Sequence, residues 1–253
     1  MLPVLALAVA ILALWEGLVR LFDVQAFVLP TPSSIAFVLL HQQTMLLQAA
    51  RTTAVEICVG FALSGVVGIA VALVIERFAG FGRALYPLVV LFQTVPKVAL
   101  APIFVLWFGY ALTAKVALIV AIAFFPVTLD MLAGMQSVDR SLVALMRSVG
   151  ASRSEILWQV QVPSALPYLL SGLKIAITLS VIGAIVGEFA GASAGLGYVI
   201  QFASSQLDAP LVFAALVEVS LLGLTFYYVL EFLEHRLVPW APNMEYAGRG
   251  MGR

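Results

Sequence analysis

Leu145-Met146-Arg147-Ser148-Val149-Gly150-Ala151-Ser152-Arg153-Ser154-Glu155-Ile156-Leu157-Trp158-Gln159-Val160-Gln161-Val162-Pro163 is a charged, helix-forming island. The apolar runs on either side, about Thr113–Met135 and Pro167–Ala190, carry two charged residues each. Gly150 suits the left-handed position that ends a helix, because it has no Cβ to clash there. Ser152 and Glu155 have the spacing of a capping box, in which each satisfies a free backbone donor at the other. Pro163 fits the first turn of the following helix, where its missing N–H costs nothing. The island therefore predicts two short helices, the first starting near Asp139 or Ser141 and the second at Ser152. Leu142, Leu145, Met146 and Val149 form an apolar stripe at helical spacing, as do Ile156, Leu157 and Val160. Such stripes either pack on the chain's own spans or enter a partner's groove.

Outward from this hairpin, composition fixes the solvent. Of 253 residues, 63% are hydrophobic and 10% are charged, and the mean hydropathy is +1.10. A soluble domain carries roughly 25% charged residues, so there are too few polar groups here for a water-facing surface. A helix needs about 20 apolar residues to cross the hydrocarbon. Six runs qualify: about Leu2–Phe22, Thr53–Ile75, Leu85–Gly109, Thr113–Met135, Pro167–Ala190 and Leu211–Phe232. The fold class expected is all-α and polytopic, with about six transmembrane helices. The third run holds Pro87, Pro96 and Pro102, and proline removes a donor and disrupts the preceding turn, so this run should be kinked or split. Pro32 with Ser33 or Ser34 as cap starts a short interfacial helix to His41, and a second short helix runs through Phe202. Residues 1–233 then form one transmembrane domain with the hairpin at about 137–163, and residues 234–253 form a polar tail.

Net charge is zero and no basic face suggests nucleic acid. The single cysteine, Cys58, precludes an internal disulfide, and no Cys/His metal cluster is written in the chain. The N-terminal run lacks a basic leader and reads as a first span rather than a cleaved signal. Arg77, Arg83, Arg140, Arg147, Arg153, Arg236, Arg249 and Arg253 fall on one side of a six-span topology. By the positive-inside rule that side is cytoplasmic and holds both termini and the hairpin.

The hairpin carries a resemblance. Gly150, Val160, Val162 and Pro163 keep the spacing of the cytoplasmic EAA loop of ABC importer permeases, with Ala144-Leu145-Met146 standing where Glu-Ala-Ala stands in the pattern. Leu29-Pro30-Thr31-Pro32, Gln93-Thr94-Val95-Pro96-Lys97, Trp107-Phe108-Gly109, Pro163-Ser164-Ala165-Leu166-Pro167, Gly187-Glu188-Phe189 and Ala194-Gly195-Leu196-Gly197-Tyr198 resemble the nitrate, sulfonate, taurine and thiamine-precursor branch, in order over nearly the whole chain. The resemblance implies a type I importer fold in the bacterial inner membrane. It implies a permease homodimer, two ATP-binding subunits docked on the hairpins and a periplasmic or lipid-anchored receptor that delivers solute. Ala144, Arg147, Gly150, Ala151, Ser152, Arg153, Glu155 and Pro163 become the expected ATPase-coupling residues. No Gly-x-x-x-x-Gly-Lys-Ser/Thr loop is present, so no cofactor is expected on this chain, and ATP and Mg belong to the partner.

Several embedded residues leave two readings open. Lys97, Glu188, Gly187 and Gly191 are candidates for the solute path or gate. Lys97 could guide an anion or could settle on a buried partner at the proline break. Glu188 could meet the path, cap the following loop or pair across a dimer. Gly183, Gly187, Gly191 and Gly195, like Gly60, Ser64 and Gly68, recur every four residues, for static close packing or for a sliding face. Glu56 and Glu218 suit structural ion pairs. An ion-coupled secondary transporter using Glu56, Glu188 and Glu218 is the alternative, although no inverted repeat is visible.

Overall fold

A computed structural model describes residues 2–239; the polar tail from residue 240 onward, with Arg249 and Arg253, lies outside them. Regular structure among the described residues is entirely helical. Helices α1 (Leu2–Leu21) and α2 (Pro32–His41) precede α3 (Gln43–Arg77), whose 35 residues extend well before the apolar run that starts at Thr53. Helix α2 is capped by Thr31, not by Ser33 or Ser34: its Oγ1 accepts from the Ser34 backbone N–H at 3.2 Å. Pro32 then occupies the first turn, where no donor is needed, which moves the cap upstream of the serines.

Helices α4 (Ala79–Thr94) and α5 (Ala101–Phe108) are joined by a 3₁₀ turn over Lys97–Leu100 and meet at a bend of 85°. The break has a local cause. Proline excludes the helical region for the residue before it, and Val95 is extended with ψ 129°. Pro102 lies in the first turn of α5. The split expected of the third apolar run is present.

Helix α6 (Leu112–Gln136) packs along both α3 and α9 (Val162–Phe189). Val89 on α4 packs with Ile75 and Met131, Lys97 lies over the Phe125 ring, and Ala101 packs with Leu118 and Ile122. The bent pair thus progresses along α6 from its C-terminal half towards its N-terminal half. It is a broken crossing rather than a loop that returns to its own side. With the five unbroken helices long and apolar enough to span, it makes six. Helix α10 (Leu196–Ser205) and α11 (Ala209–Leu237) complete the bundle, and α11 runs past residue 234, where the tail was placed.

Small residues set the spacing between helices. A Cβ on Gly68 would lie 2.7 Å from the Phe124 carbonyl oxygen, and one on Gly172 would lie 2.9 Å from that of Pro126. Gly60 and Gly183 both face Ile119. The recurring glycines of α3 and α9 therefore seat those helices on α6, which is the packing reading of their spacing.

Candidate functional site

Two constellations carry chemistry, at opposite ends of α6. The first is the hairpin. Helix α7 (Arg140–Ser148) is capped by Asp139, whose carboxylate accepts from the Ser141 N–H at 2.8 Å. That bond holds the Asp139 carboxyl below its usual range. Gly150 has φ +85°, the left-handed conformation expected of it. Helix α8 (Arg153–Ile156) opens with the full capping box: Ser152 N–H donates to Glu155 Oε2 at 2.6 Å, and Glu155 N–H donates to Ser152 Oγ at 3.2 Å. A π turn over Leu157–Gln161 then leads without a break into α9. Pro163 in the next turn cannot donate to the preceding carbonyls, and the wider π turn accommodates that loss.

The second short helix is therefore the first turn of a continuous helix from Arg153 to Phe189, about 55 Å long at 1.5 Å per residue. The two apolar stripes divide. Ile156 and Leu157 are buried and seat the helix start; the Gln161 amide also donates to Glu76 Oε1 at 2.6 Å, tying it to the end of α3. On α7 the stripe faces outward: Leu142 is exposed, Leu145 is 60% exposed and Val149 75%. Ala144, Arg147, Ser152, Arg153 and Glu155 are exposed as well. An apolar stripe left in water on an otherwise charged helix marks an interaction surface.

The second constellation is a buried polar cluster joining α3, α6, α9 and α10. Lys115 forms an ion pair with Glu56, which is 2% exposed. Glu188 is 0% exposed. Its Oε1 accepts from Thr53 Oγ1 at 2.7 Å, and its Oε2 accepts from the Gly197 N–H. Thr53 Oγ1 in turn accepts from the Leu196 N–H at 2.8 Å. The carboxylate and the Thr53 hydroxyl thereby satisfy two donors of the first turn of α10, where the free donors and helix dipole favour negative charge. Gly195, with φ +112°, permits this: a Cβ there would collide with the Glu188 carboxylate. Of the roles open to Glu188, the structure places it at the loop cap, inside the protomer.

The other path candidates are placed as follows. Lys97 sits at the broken crossing with its ammonium 5.5 Å from the centre of the Phe125 ring, a cation–π contact. Gly187 lies against Lys115, and Gly191 (φ +132°) lies under the Tyr110 ring. Thr53 and Lys115 were not visible as site residues in the sequence. Lys115 lies three residues into the apolar run that starts near Thr113. Its spacing to nothing in sequence announced that it faces Glu56.

A family model for the inner membrane component of binding-protein-dependent transport systems matches residues 64–239, a stretch that includes the hairpin, Lys115 and Glu188. The chain belongs to this family. A formylaminopyrimidine transport permease of Halalkalibacterium halodurans is 40% identical over 231 residues, covering 91% of this chain and 92% of the relative. A riboflavin transport system permease of Chloroflexus aurantiacus is 34% identical over 243 residues, covering 94% and 91%. A putative aliphatic sulfonates permease of Bacillus subtilis is 31% identical, covering 95% and 88%. Among solved structures, the MetNI methionine ABC transporter in inward-facing conformations superposes with TM-score 0.59 at 20% identity, over 78% of this chain and 94% of that one. An amino acid ABC transporter does so with TM-score 0.61 at 19% identity, over 79% and 97%. Those two likenesses establish the fold. The permease is the membrane-spanning subunit of an ABC importer, a class in which ATP is hydrolysed by a separate subunit.

Proposed function

We propose that this permease is driven through the hairpin. Two copies would enclose the solute path, each docked on an ATP-binding subunit that supplies ATP and Mg chemistry, with a periplasmic or lipid-anchored receptor on the other face. The observation that carries this reading is the joining of an exposed apolar stripe on α7 to the continuous helix from Arg153 to Phe189. A displacement at Gly150 and Ala151 is passed along this continuous helix, whose far end is tied to α10 by Glu188. Arg147, Ser152, Arg153, Glu155 and Pro163 shape and charge that junction, and Ala144 lines a cleft on α7 with Arg147 and Gln161. The arginine distribution supports a cytoplasmic hairpin, N-terminus and C-terminus, in a bacterial inner membrane.

The solute we infer is a small organic molecule of vitamin-precursor or sulfonate type. A formylaminopyrimidine is favoured because the relative named for it shares 40% identity over nine-tenths of both chains. No catalytic residue is assigned. The test of the drive is Gly150→Pro against Gly150→Asn in vesicles holding the whole transporter. Proline fixes φ near −65° and cannot adopt +85°, whereas asparagine tolerates the left-handed region. Solute uptake and receptor-stimulated ATP hydrolysis should vanish in the first, with normal membrane insertion, and persist in the second. Full uptake by Gly150→Pro would refute the lever.

A further inference from the structure

Opposite its exposed apolar stripe, α7 turns Val143 and Arg147 towards the bundle. There a cleft of about 230 Å³ opens between the hairpin and the ends of the spans. Arg77 from α3, Arg147 from α7 and Arg153 from α8 converge on it, with Glu76 the one acid in its wall. Glu76 is already engaged by the Gln161 amide. The hairpin's own acids are committed as well: Asp139 and Glu155 are turned to backbone donors as caps. The cleft thus carries a net excess of two positive charges (three arginines less one glutamate) from three different helices. Its depth is set by its surroundings. Arg77 ends a span, the neighbouring Phe78 is exposed, and Trp158, beside the lining residue Leu157, is 57% exposed. Tryptophan at such a position marks the headgroup level of a bilayer.

We propose that this cleft is a binding site for the phosphate of an anionic phospholipid headgroup. Guanidinium groups hold phosphate through paired, charge-assisted hydrogen bonds, and basic pockets at the cytoplasmic ends of transmembrane helices are suited to acidic headgroups. A partner protein's carboxylate is the less fitting occupant, because the cleft lies on the span-facing side of α7, away from the exposed stripe. Bound lipid would bridge α3, α7 and α8 and hold the hairpin at a fixed angle to the membrane.

The test is native mass spectrometry of the purified full-length permease with phosphatidylglycerol, phosphatidylcholine or inorganic phosphate added at equal concentration. The wild type should retain phosphatidylglycerol in preference to phosphatidylcholine, on the order of tenfold. The preference should shrink as ionic strength rises. Arg77→Gln with Arg153→Gln should reduce it to near unity, while Arg77→Lys with Arg153→Lys keeps part of it. Equal retention of the two lipids by the wild type would overturn the proposal, as would an undiminished preference in the glutamine pair. Tight retention of inorganic phosphate alone would overturn the lipid assignment. Loss of bound lipid when the ATP-binding subunit docks would show that a protein carboxylate takes the cleft instead. The salt series needs no variant, so the proposal stays open to refutation even if the glutamine pair does not fold.

Discussion

Glu188 and the Glu56–Lys115 pair show how buried ionisable groups are held between helices. Glu188 accepts from the Gly197 N–H and the Thr53 hydroxyl, so removing it strands a buried donor on Gly197, while Thr53 keeps the Ala49 carbonyl as an acceptor. Glu188→Ala should cost about 3 kcal/mol, read as a lower unfolding midpoint in detergent, with Glu188→Gln losing much less because its amide oxygen can still accept. The ion pair behaves differently. Breaking a buried pair from one side costs roughly 3–5 kcal/mol, whereas replacing both members by apolar residues of similar size is close to neutral. Lys115→Met alone should therefore destabilise the permease strongly, and Lys115→Met combined with Glu56→Leu should recover most of the loss in the same melting measurement. Recovery would also weaken any proton-relay role for Glu56, provided that uptake returns with stability.

At the level of helices, glycine decides how close α3, α6 and α9 come. Gly68→Ala presses a Cβ against the Phe124 carbonyl, and a backbone atom cannot swing aside as a side chain can. Overpacking of this kind costs about 1–3 kcal/mol. Gly223→Ala, whose nearest neighbour would be Val181 Cγ2 at 3.8 Å, should be tolerated. The two variants, compared by thermal unfolding, separate helix seating from a general intolerance of alanine. Helix α7 responds to pH in a known direction. Asp139 is held below its ordinary value by the Ser141 N–H, so its contribution is present above the unfolded value and lost as pH falls through the lowered one. The protection of the Ser141 amide, taken relative to its intrinsic exchange rate at each pH, should hold at neutral pH and fall only in acid below the ordinary carboxylate range.

For the whole molecule, the hairpin and the buried cluster lie at opposite ends of one bundle, joined by a helix of about 55 Å. Cys58 is the only cysteine in the chain, so a Cys58→Ser background with a cysteine at Leu145 gives one hairpin probe. That probe should react with a membrane-impermeant thiol reagent only from the cytoplasmic face of inverted vesicles. Docking the ATP-binding subunit should protect it at least several-fold. Labelling from the outer face of intact cells would refute the orientation and, with it, the drive through the hairpin. Unchanged labelling in the assembled transporter would leave α7 without a partner.

Much of the local chemistry was legible in the amino-acid sequence, although the cap of α2 falls on Thr31 and not on the serines. The six apolar crossings, the break at Val95–Pro96, the left-handed Gly150 and the Ser152–Glu155 box depend on residues within a few positions of one another. Hydropathy, φ restriction and capping act over that range. What the sequence could not show was which buried polar groups meet. Lys115 finds Glu56 across 59 positions, and Glu188 finds Thr53 across 135. Nor could it show which apolar stripe of the hairpin stays in water. Those outcomes depend on the angles and separations at which α3, α6 and α9 pack. A side chain's partner in a lipid-solvated bundle is fixed by that three-dimensional seating, because burying a charge is tolerable only where the fold has brought its complement within reach.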